Sequence, residues 1–238
     1  YRLGVKVTIV EMLDRVLGPL DKDITDFVEV ELKKNGVELV LGVKVESIEP
    51  GLKVNYASVK DGAKGTAEGD VVLMAGGRIP NTRSIGLETL GVKMDRKGFV
   101  EIDGLCRTNV PGVYAIGDIN GKMQLAHVAS AQGLLAADHI AGKPCKQLNL
   151  NRIPSCVYCN PETAMVGLTE EQARAAGRDV GTGVFNLSGN GKALTMGENK
   201  GLVKFVFDKA TDEILGFHVI GPRATDLAAE VAAVMECE

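Results

Sequence analysis

The sequence predicts an α/β fold up to about residue 150, followed by a smaller α+β domain. Two observations favour the α/β part: short runs of β-branched residues alternate with helical patterns, and glycines stand at the ends of these runs. Glycine is abundant, with 29 residues, whereas aromatic residues make up only 4% of the chain. The last part of the chain instead combines several strands, expected to be antiparallel, with helices, which is typical of α+β domains.

The first block predicts strands around one helix. The helix is expected at 21–35, where apolar residues follow a helical stripe and Gly36 ends it. Strands are predicted by apolar or alternating runs at 5–11, 37–41, 43–48, 52–60, 67–68 and 70–75, with a hairpin turn at Asp61-Gly62. Strand, helix and strand in this order indicate an open, largely parallel sheet.

Two further blocks follow. Strands are predicted at 98–102 and 112–116, before a helix at 124–141 that is rich in alanine. In the last block, strands are expected at 155–158, 201–208 and 214–220, and helices at 169–176 and from Thr225 or Asp226 onward. Thr169 and Gln172 have the spacing of a capping box, and 147–151 is the predicted linker.

Composition excludes several classes of protein. The net charge of −4 argues against a nucleic-acid or anionic-membrane partner. No uncharged apolar run reaches the roughly 18–20 residues that a membrane span needs, and no secretory signal is visible. The five cysteines are too few and too irregular for a disulfide scaffold, so we expect reduced thiols in a cytosol-like compartment.

We expect the chain to be part of a longer protein. Its opening, Tyr1-Arg2-Leu3-Gly4, is typical of the last turn of a helix with Gly4 at the C′ position. The apolar stretch at 226–238 contains no glycine, asparagine or proline that would end a helix.

Glu11 is the first candidate functional residue. An acid at the carboxyl end of a strand accepts hydrogen bonds from adenosine ribose hydroxyls in dinucleotide folds and repels a 2′-phosphate, which favours NAD over NADP. The glycine loop of such folds is expected about 20 residues upstream, before Tyr1. A solvated acid with no ligand is the alternative at this position.

Gly117-Asp118 carries a stronger signal. The aspartate follows a predicted strand, and the helix that begins near Gln124 points its amides and the positive end of its dipole toward the same crevice. That environment favours the negative charge of a reduced flavin. The alternative is an aspartate that merely caps the next helix.

The remaining chemically reactive residues give weaker signals. Cys156 and Cys159 could form a redox pair or half a zinc site, but residues three apart on a strand face opposite sides. His127 lies in the first turn of the predicted helix near the expected ligand, His139 could face the carbonyls at its end, and His218 is expected to be packed in a strand.

Several motifs in collinear order resemble the pyridine nucleotide–disulfide oxidoreductases. The matching segments are 7–14 (VTIVEMLD), 75–82 (AGGRIPNT), 108–118 (TNVPGVYAIGD), 125–127 (LAH), 160–170 (NPETAMVGLTE) and 216–222 (GFHVIGP). The resemblance covers essentially the whole chain. It departs from the usual pattern at Gln124, where methionine is more common, and at Cys159, where threonine is.

The resemblance implies functional residues and domains. It implies that Glu11 binds the NAD ribose, Val45 lines the adenine and Gly77 lies beside the nicotinamide half, while Asp118 binds the FAD ribitol. The flavin pyrimidine edge would be touched by Gln124, Leu125, Ala126 and His127. The implied domains are 1–76, the second half of an NAD-binding domain; 77–150, part of an FAD-binding domain; and 151–238, an interface domain that forms a homodimer.

The resemblance also implies an activity, closest to that of the members that oxidise dihydrolipoamide. There a dithiol substrate reduces an enzyme disulfide, the resulting thiolate reduces FAD, and a hydride passes to NAD⁺. The redox cysteine pair and both glycine loops would precede Tyr1, and the histidine–glutamate base would follow Glu238. The implied partners are lipoyl domains of 2-oxo acid dehydrogenase or glycine cleavage complexes, in the cytoplasm or a mitochondrial matrix.

Two alternatives remain open. One is a different disulfide reductase, such as a glutathione, mercuric or NADP-linked enzyme; Glu11 argues against the use of NADP. The other is a non-catalytic module that binds cofactor and dimerises. In either case we expect the isolated chain to be inactive, since neither the redox pair nor the base lies within it.

Overall fold

The computed structural model describes residues 1–237. It divides into two compact units: unit 1 combines residues 1–74 with the chain from Pro154 onward, and unit 2 comprises residues 75–153. The division into domains at 1–76, 77–150 and 151–238 stays a prediction.

The first segment of unit 1 is a strand–helix–strand unit followed by an antiparallel sheet. Strand β1 (Thr8–Val10) pairs in parallel with β2 (Glu38–Val40), and helix α1 (Lys22–Lys34) connects them. The antiparallel sheet consists of β3 (Val43–Glu49), β4 (Lys53–Ser58) and β5 (Lys64–Glu68).

Local signals predicted α1 and the hairpin correctly. Asp21 caps α1, because its side chain accepts a hydrogen bond from the Asp23 amide at 3.1 Å. Gly36 follows the helix at a φ of +77°, the left-handed conformation that glycine adopts without strain.

The strand predicted at 70–75 is absent. This segment is irregular and exposed, with 87% of Leu73 accessible to solvent. A strand requires partners for its backbone groups, and within residues 1–237 no strand pairs with this segment. Parallel pairing is accordingly confined to β1 and β2 in the described residues, so the prediction of an open, largely parallel sheet is wrong in extent.

The second segment of unit 1 is built on a five-stranded antiparallel sheet in the order β6-β7-β10-β9-β8. Its strands are β6 (Ser155–Val157), β7 (Glu162–Gly167), β8 (Val180–Asn186), β9 (Leu202–Asp208) and β10 (Ile214–Gly221). Its helices are α3 (Glu170–Ala175), α4 (Gly191–Met196) and α5 (Ala224–Cys237). The predicted capping box of Thr169 and Gln172 is confirmed at the start of α3.

Helices from distant parts of the sequence cover the two faces of this sheet. Alternate residues of β10 point to opposite faces, so Phe217 and Val219 pack with α5 while Ile220 packs with α1. Ile24 and Val28 of α1 are buried in that second contact. The first and last parts of the chain therefore share one apolar core.

Unit 2 contains one long helix, α2 (Ala126–Ile140), and is otherwise mostly irregular. The strands predicted at 98–102 and 112–116 are wrong, because only isolated bridges form there, between Met94 and Val100 and between Arg107 and Tyr114. Nearby backbone amides, which would pair with a neighbouring strand in a sheet, donate instead to carboxylate side chains. For example, the Asp95 side chain accepts from the amides of residues 97 and 99.

Candidate functional site

Glu11 and Val45 are brought together within unit 1. Glu11 follows β1, and its backbone carbonyl accepts a hydrogen bond from the Val43 amide at 3.1 Å, where β3 begins. Its carboxylate oxygen Oε1 accepts from the Leu13 amide at 2.9 Å, which leaves Oε2 to accept from a ligand. Val45 is 37% exposed, so it offers an apolar surface two residues into β3.

Asp118 lies in unit 2, on a 3₁₀ turn at Gly117–Asn120. Its side chain is 54% exposed and pairs with Arg78, whose Nη1 lies 3.0 Å from Asp118 Oδ2. The same Arg78 nitrogen donates to the carbonyl oxygen of Gln124 at 3.4 Å. Arg78 therefore connects the acidic turn to the segment that leads into α2.

The start of α2 is a site for negative charge. Its N-cap residue is Leu125, and no side chain caps the helix. Asp118 is therefore not the cap of this helix, which removes the alternative left open by the sequence. The first-turn amides lack intrahelical acceptors, and the helix dipole places partial positive charge beside Ala126 and His127.

This donor set fits a flavin. Uncapped amides suit the pyrimidine edge of the isoalloxazine, which becomes negative on reduction, and an exposed carboxylate suits hydroxyls of a ribityl chain. Gly77, a predicted nicotinamide neighbour, lies in the same unit at a φ of +122°, and a Cβ there would meet no atom within 4 Å. The binding roles of these residues stay predictions.

The weaker candidates do not form a reactive centre in the described structure. Cys156 lies on β6 and Cys159 in the exposed turn beyond it, and both are free thiols. Within residues 1–237 no group of histidine, cysteine and carboxylate side chains could hold a metal ion. The same residues include no helix long and apolar enough to cross a membrane.

Two histidines have structural partners. Nδ1 of His139 shares a hydrogen bond of 2.7 Å with the Tyr114 hydroxyl, so the expectation that His139 faces helix carbonyls is replaced by a side-chain contact. His218 is fully buried in β10, as expected, and its Nε2 lies 3.0 Å from the Leu168 carbonyl oxygen. Burial lowers the pKa of His218, against the attraction of Asp21.

Sequence reasoning missed a buried cluster of charges in unit 1. Lys204 Nζ lies 2.9 Å from Asp21, 2.7 Å from Asp23 and 2.8 Å from Glu170. Burial would lower the pKa of Lys204, but the hydrogen bonds to these carboxylates outweigh it and raise the pKa. The sequence held one signal for this cluster, a lysine at an inward-facing position of the alternating strand β9. Its partner Asp21, the N-cap of α1, is distant in the sequence.

Comparison with known proteins places the chain in a family. The family described as pyridine nucleotide-disulphide oxidoreductase matches residues 1–133, and the dimerisation domain of the same family matches residues 153–238. The chain belongs to the pyridine nucleotide-disulphide oxidoreductase family. The resemblance stated from the sequence motifs and the predicted α/β plus interface-domain class are thereby confirmed.

Within this family, the chain is most informatively compared with dihydrolipoyl dehydrogenases. It is 41% identical to that of Cupriavidus necator, over 99% of this chain and 50% of the relative. It is 40% identical to that of Bacillus subtilis, over 97% of this chain and 49% of the relative. The chain therefore spans about half the length of the curated relatives it matches.

Solved structures agree with the assignment of the chain to this family. The crystal structure of LpdA from Mycobacterium tuberculosis matches with a TM-score of 0.87 and 31% identity, over 98% of this chain and 50% of that chain. The HOCl-induced flavoprotein disulfide reductase RclA from Escherichia coli matches with a TM-score of 0.84 and 28% identity, over 98% and 53%. The family and these relatives imply FAD and NAD(P) as cofactors of enzymes with this fold.

Proposed function

We propose that this chain is part of a dihydrolipoyl dehydrogenase, an enzyme that oxidises dihydrolipoamide and reduces NAD⁺. The observation that carries the proposal is the identity of about 40% to dihydrolipoyl dehydrogenases along essentially the whole chain. The site geometry supports it, because Asp118, Arg78 and the uncapped start of α2 lie together in unit 2. Bound FAD would supply the hydride transfer chemistry.

Each residue of the site has a role under this proposal. Asp118 accepts hydrogen bonds from ribityl hydroxyls, and the amides at the start of α2 stabilise negative charge on the pyrimidine edge. Glu11 accepts from the hydroxyls of the NAD ribose through its remaining oxygen, with Val45 against the adenine. Arg78 pairs with the Asp118 carboxylate and compensates its negative charge before ribityl hydroxyls bind there.

The reacting thiols are expected outside this chain. Of its five cysteines, no two have the spacing of the family's redox pair, in which four residues separate the thiols. The general base is likewise expected beyond residue 238. We therefore infer that the 238 residues alone bind and orient cofactors but do not turn over substrate.

Assembly and location follow from the same proposal. The match to a dimerisation domain at 153–238 supports a homodimer formed by the second segment of unit 1. Lipoyl domains of 2-oxo acid dehydrogenase or glycine cleavage complexes are the proposed protein partners. The proposed compartment is the cytoplasm, or the mitochondrial matrix in a eukaryote, where thiols stay reduced.

A second candidate is another flavoprotein disulfide reductase. The structural similarity to RclA, at a TM-score of 0.84, supports it, although the sequence identity of 28% is lower than the 40–43% to dihydrolipoyl dehydrogenases. The two candidates differ in the substrate that the thiols accept. Glu11 favours NAD over NADP in both.

A completed enzyme tests the proposal. We define it as this chain joined to the parts of the Cupriavidus necator relative that lie outside the matched region. It should form NADH from dihydrolipoamide and NAD⁺, whereas the purified 238-residue chain should form none. Reduction of glutathione disulfide by NADH or NADPH, without NADH formation from dihydrolipoamide, would favour the second candidate. NADH formation from dihydrolipoamide by the chain alone would contradict the assignment of the thiols.

A change at Glu11 tests the nucleotide preference. In the completed enzyme, Glu11→Arg should raise the KM for NAD⁺ and improve the use of NADP⁺, because a cation replaces the carboxylate that repels a 2′-phosphate. Glu38→Arg, at an exposed position of the adjacent β2, is the matched control. Unchanged KM values for both nucleotides would show that Glu11 does not bind the ribose.

A further inference from the structure

A buried polar network lies beneath the turn that carries Asp118. Gln132, on the second turn of α2, accepts two hydrogen bonds through Oε1: from the Gly117 amide at 2.7 Å and from Asn120 Nδ2 at 2.9 Å. Asn120 Nδ2 also lies 3.2 Å from the Ala115 carbonyl oxygen. Gln132 and Asn120 are 3% and 4% exposed, so water does not compete for these bonds.

The backbone that the network holds at Gly117 lies close against α2. Gly117 has a φ of +74°, and a Cβ at this position would lie 3.1 Å from the Cβ of Ala129 on α2. The turn thus approaches the helix closely at one point and is hydrogen-bonded to it at another. Because the bonded amide belongs to the residue before Asp118, the hydrogen bond anchors the backbone from which the Asp118 side chain extends.

We propose that Gln132 is the positioning residue of the cofactor-binding aspartate, acting on Asp118 through the backbone amide of Gly117. This inference rests on the proposed function, since it assigns Asp118 to the ribityl chain of FAD. The amide oxygen of Gln132 accepts both hydrogen bonds without a charge, so the network supports Asp118 without placing a second negative group under the flavin.

The first test removes FAD from the completed enzyme and then measures FAD affinity by titrating the cofactor back. Gln132→Leu leaves the buried Gly117 amide without its acceptor and leaves Asn120 with only the Ala115 carbonyl, and should weaken FAD binding by about tenfold. Gln132→Glu should recover only part of that affinity, because a carboxylate oxygen accepts the same two bonds but brings a buried negative charge beneath the flavin. Ser130→Ala, at an exposed position on the same helix, is the matched control and should leave the affinity unchanged.

A double-mutant cycle separates positioning from general damage. Asp118→Asn alone should weaken FAD binding, and adding Gln132→Leu should then weaken it by less than about twofold, since the residue on which Gln132 acts is already impaired. If Gln132→Leu does not fold, as judged by far-ultraviolet circular dichroism, Gln132→Ala removes the same oxygen with less apolar bulk and takes its place in the cycle.

The outcomes distinguish the two levels of inference. Additive losses in the cycle, or an FAD affinity unaffected by Gln132→Leu, would overturn the role of Gln132 and leave the proposed function intact. An FAD affinity unchanged by Asp118→Asn would instead refute the assignment of Asp118 on which both depend. Coupling between the two positions, together with a smaller loss for Gln132→Glu than for Gln132→Leu, supports the proposal.

Discussion

Two ion pairs of nearly equal length lie in contrasting surroundings. In unit 1, Lys204 and Asp21 are 2.9 Å apart, and their side chains are 3% and 1% exposed. In unit 2, Arg78 and Asp118 are 3.0 Å apart, and their side chains are 62% and 54% exposed. Water screens the second pair and not the first, so the distance between the charges does not reveal what each pair does.

The contrast distinguishes a structural pair from an exchangeable one. Asp21 accepts hydrogen bonds from the amides of Asp23 and Glu170 as well as from Lys204, so its carboxylate is fully engaged by the protein. Asp118 bonds one exposed arginine, which a ligand hydroxyl can replace at small cost. Burial of a charge marks the first as part of the fold, and exposure leaves the second available for binding.

The largest expected effect comes from breaking the buried pair. Lys204→Met leaves Asp21 as an uncompensated buried carboxylate and should lower the free energy of unfolding by about 3–5 kcal/mol in urea titrations. Adding Asp21→Asn should recover part of this loss. The exposed pair of Lys209 with Asp179 supplies the control, since Lys209→Met should cost less than about 1 kcal/mol. Equal losses for both lysines would contradict the comparison.

A smaller effect depends on pH. Burial lowers the pKa of His218 below its ordinary value of 6.5, so the unfolded chain takes up a proton near pH 6.5 that the folded chain does not. Stability from this group is present above pH 6.5 and is lost as the pH falls. Between pH 6.5 and 5.5 the wild type should lose more stability than His218→Gln, by at most about 1 kcal/mol, measured by urea unfolding. Parallel pH profiles for the two proteins would refute this assignment.

The smallest effect on stability is expected at the exposed pair. Arg78→Ala should change the free energy of unfolding by less than about 0.5 kcal/mol, because an ion pair in water contributes little. Arg78→Lys keeps the charge and serves as the control. A loss above about 2 kcal/mol for Arg78→Ala would mean that the Arg78–Asp118 pair is structural, and the contrast between the two units would disappear.

The elements that the sequence predicted well depend on local signals. Asp21, Gly36 and the Thr169–Gln172 pair act within one helical turn, so α1 and α3 could be recognised from short windows. The strands predicted at 70–75, 98–102 and 112–116 failed because a strand also needs a neighbour, and apolar character alone does not provide one.

The residues of the candidate site also separate into those that local signals predicted and those that depend on distant contacts. Asp118 and the start of α2 were proposed from a local pattern, an acid placed shortly before a helix, although the strand predicted ahead of Asp118 does not form. The partners Arg78 and Gln132 were missed, because Arg78 reaches Asp118 across 40 residues and Gln132 acts through a backbone amide. The Lys204 cluster joins residues 183 positions apart, beyond what any sequence window contains.

The shared core of unit 1 has a consequence for synthesis on the ribosome. Helix α1 is translated well before the strands that bury Ile24 and Val28. At about 5–20 residues per second, the 183 residues between Asp21 and Lys204 take roughly 10–40 s to appear. During that interval the apolar face of α1 lacks the strands that bury it, so we expect the nascent chain to bind chaperones that shield exposed apolar surfaces.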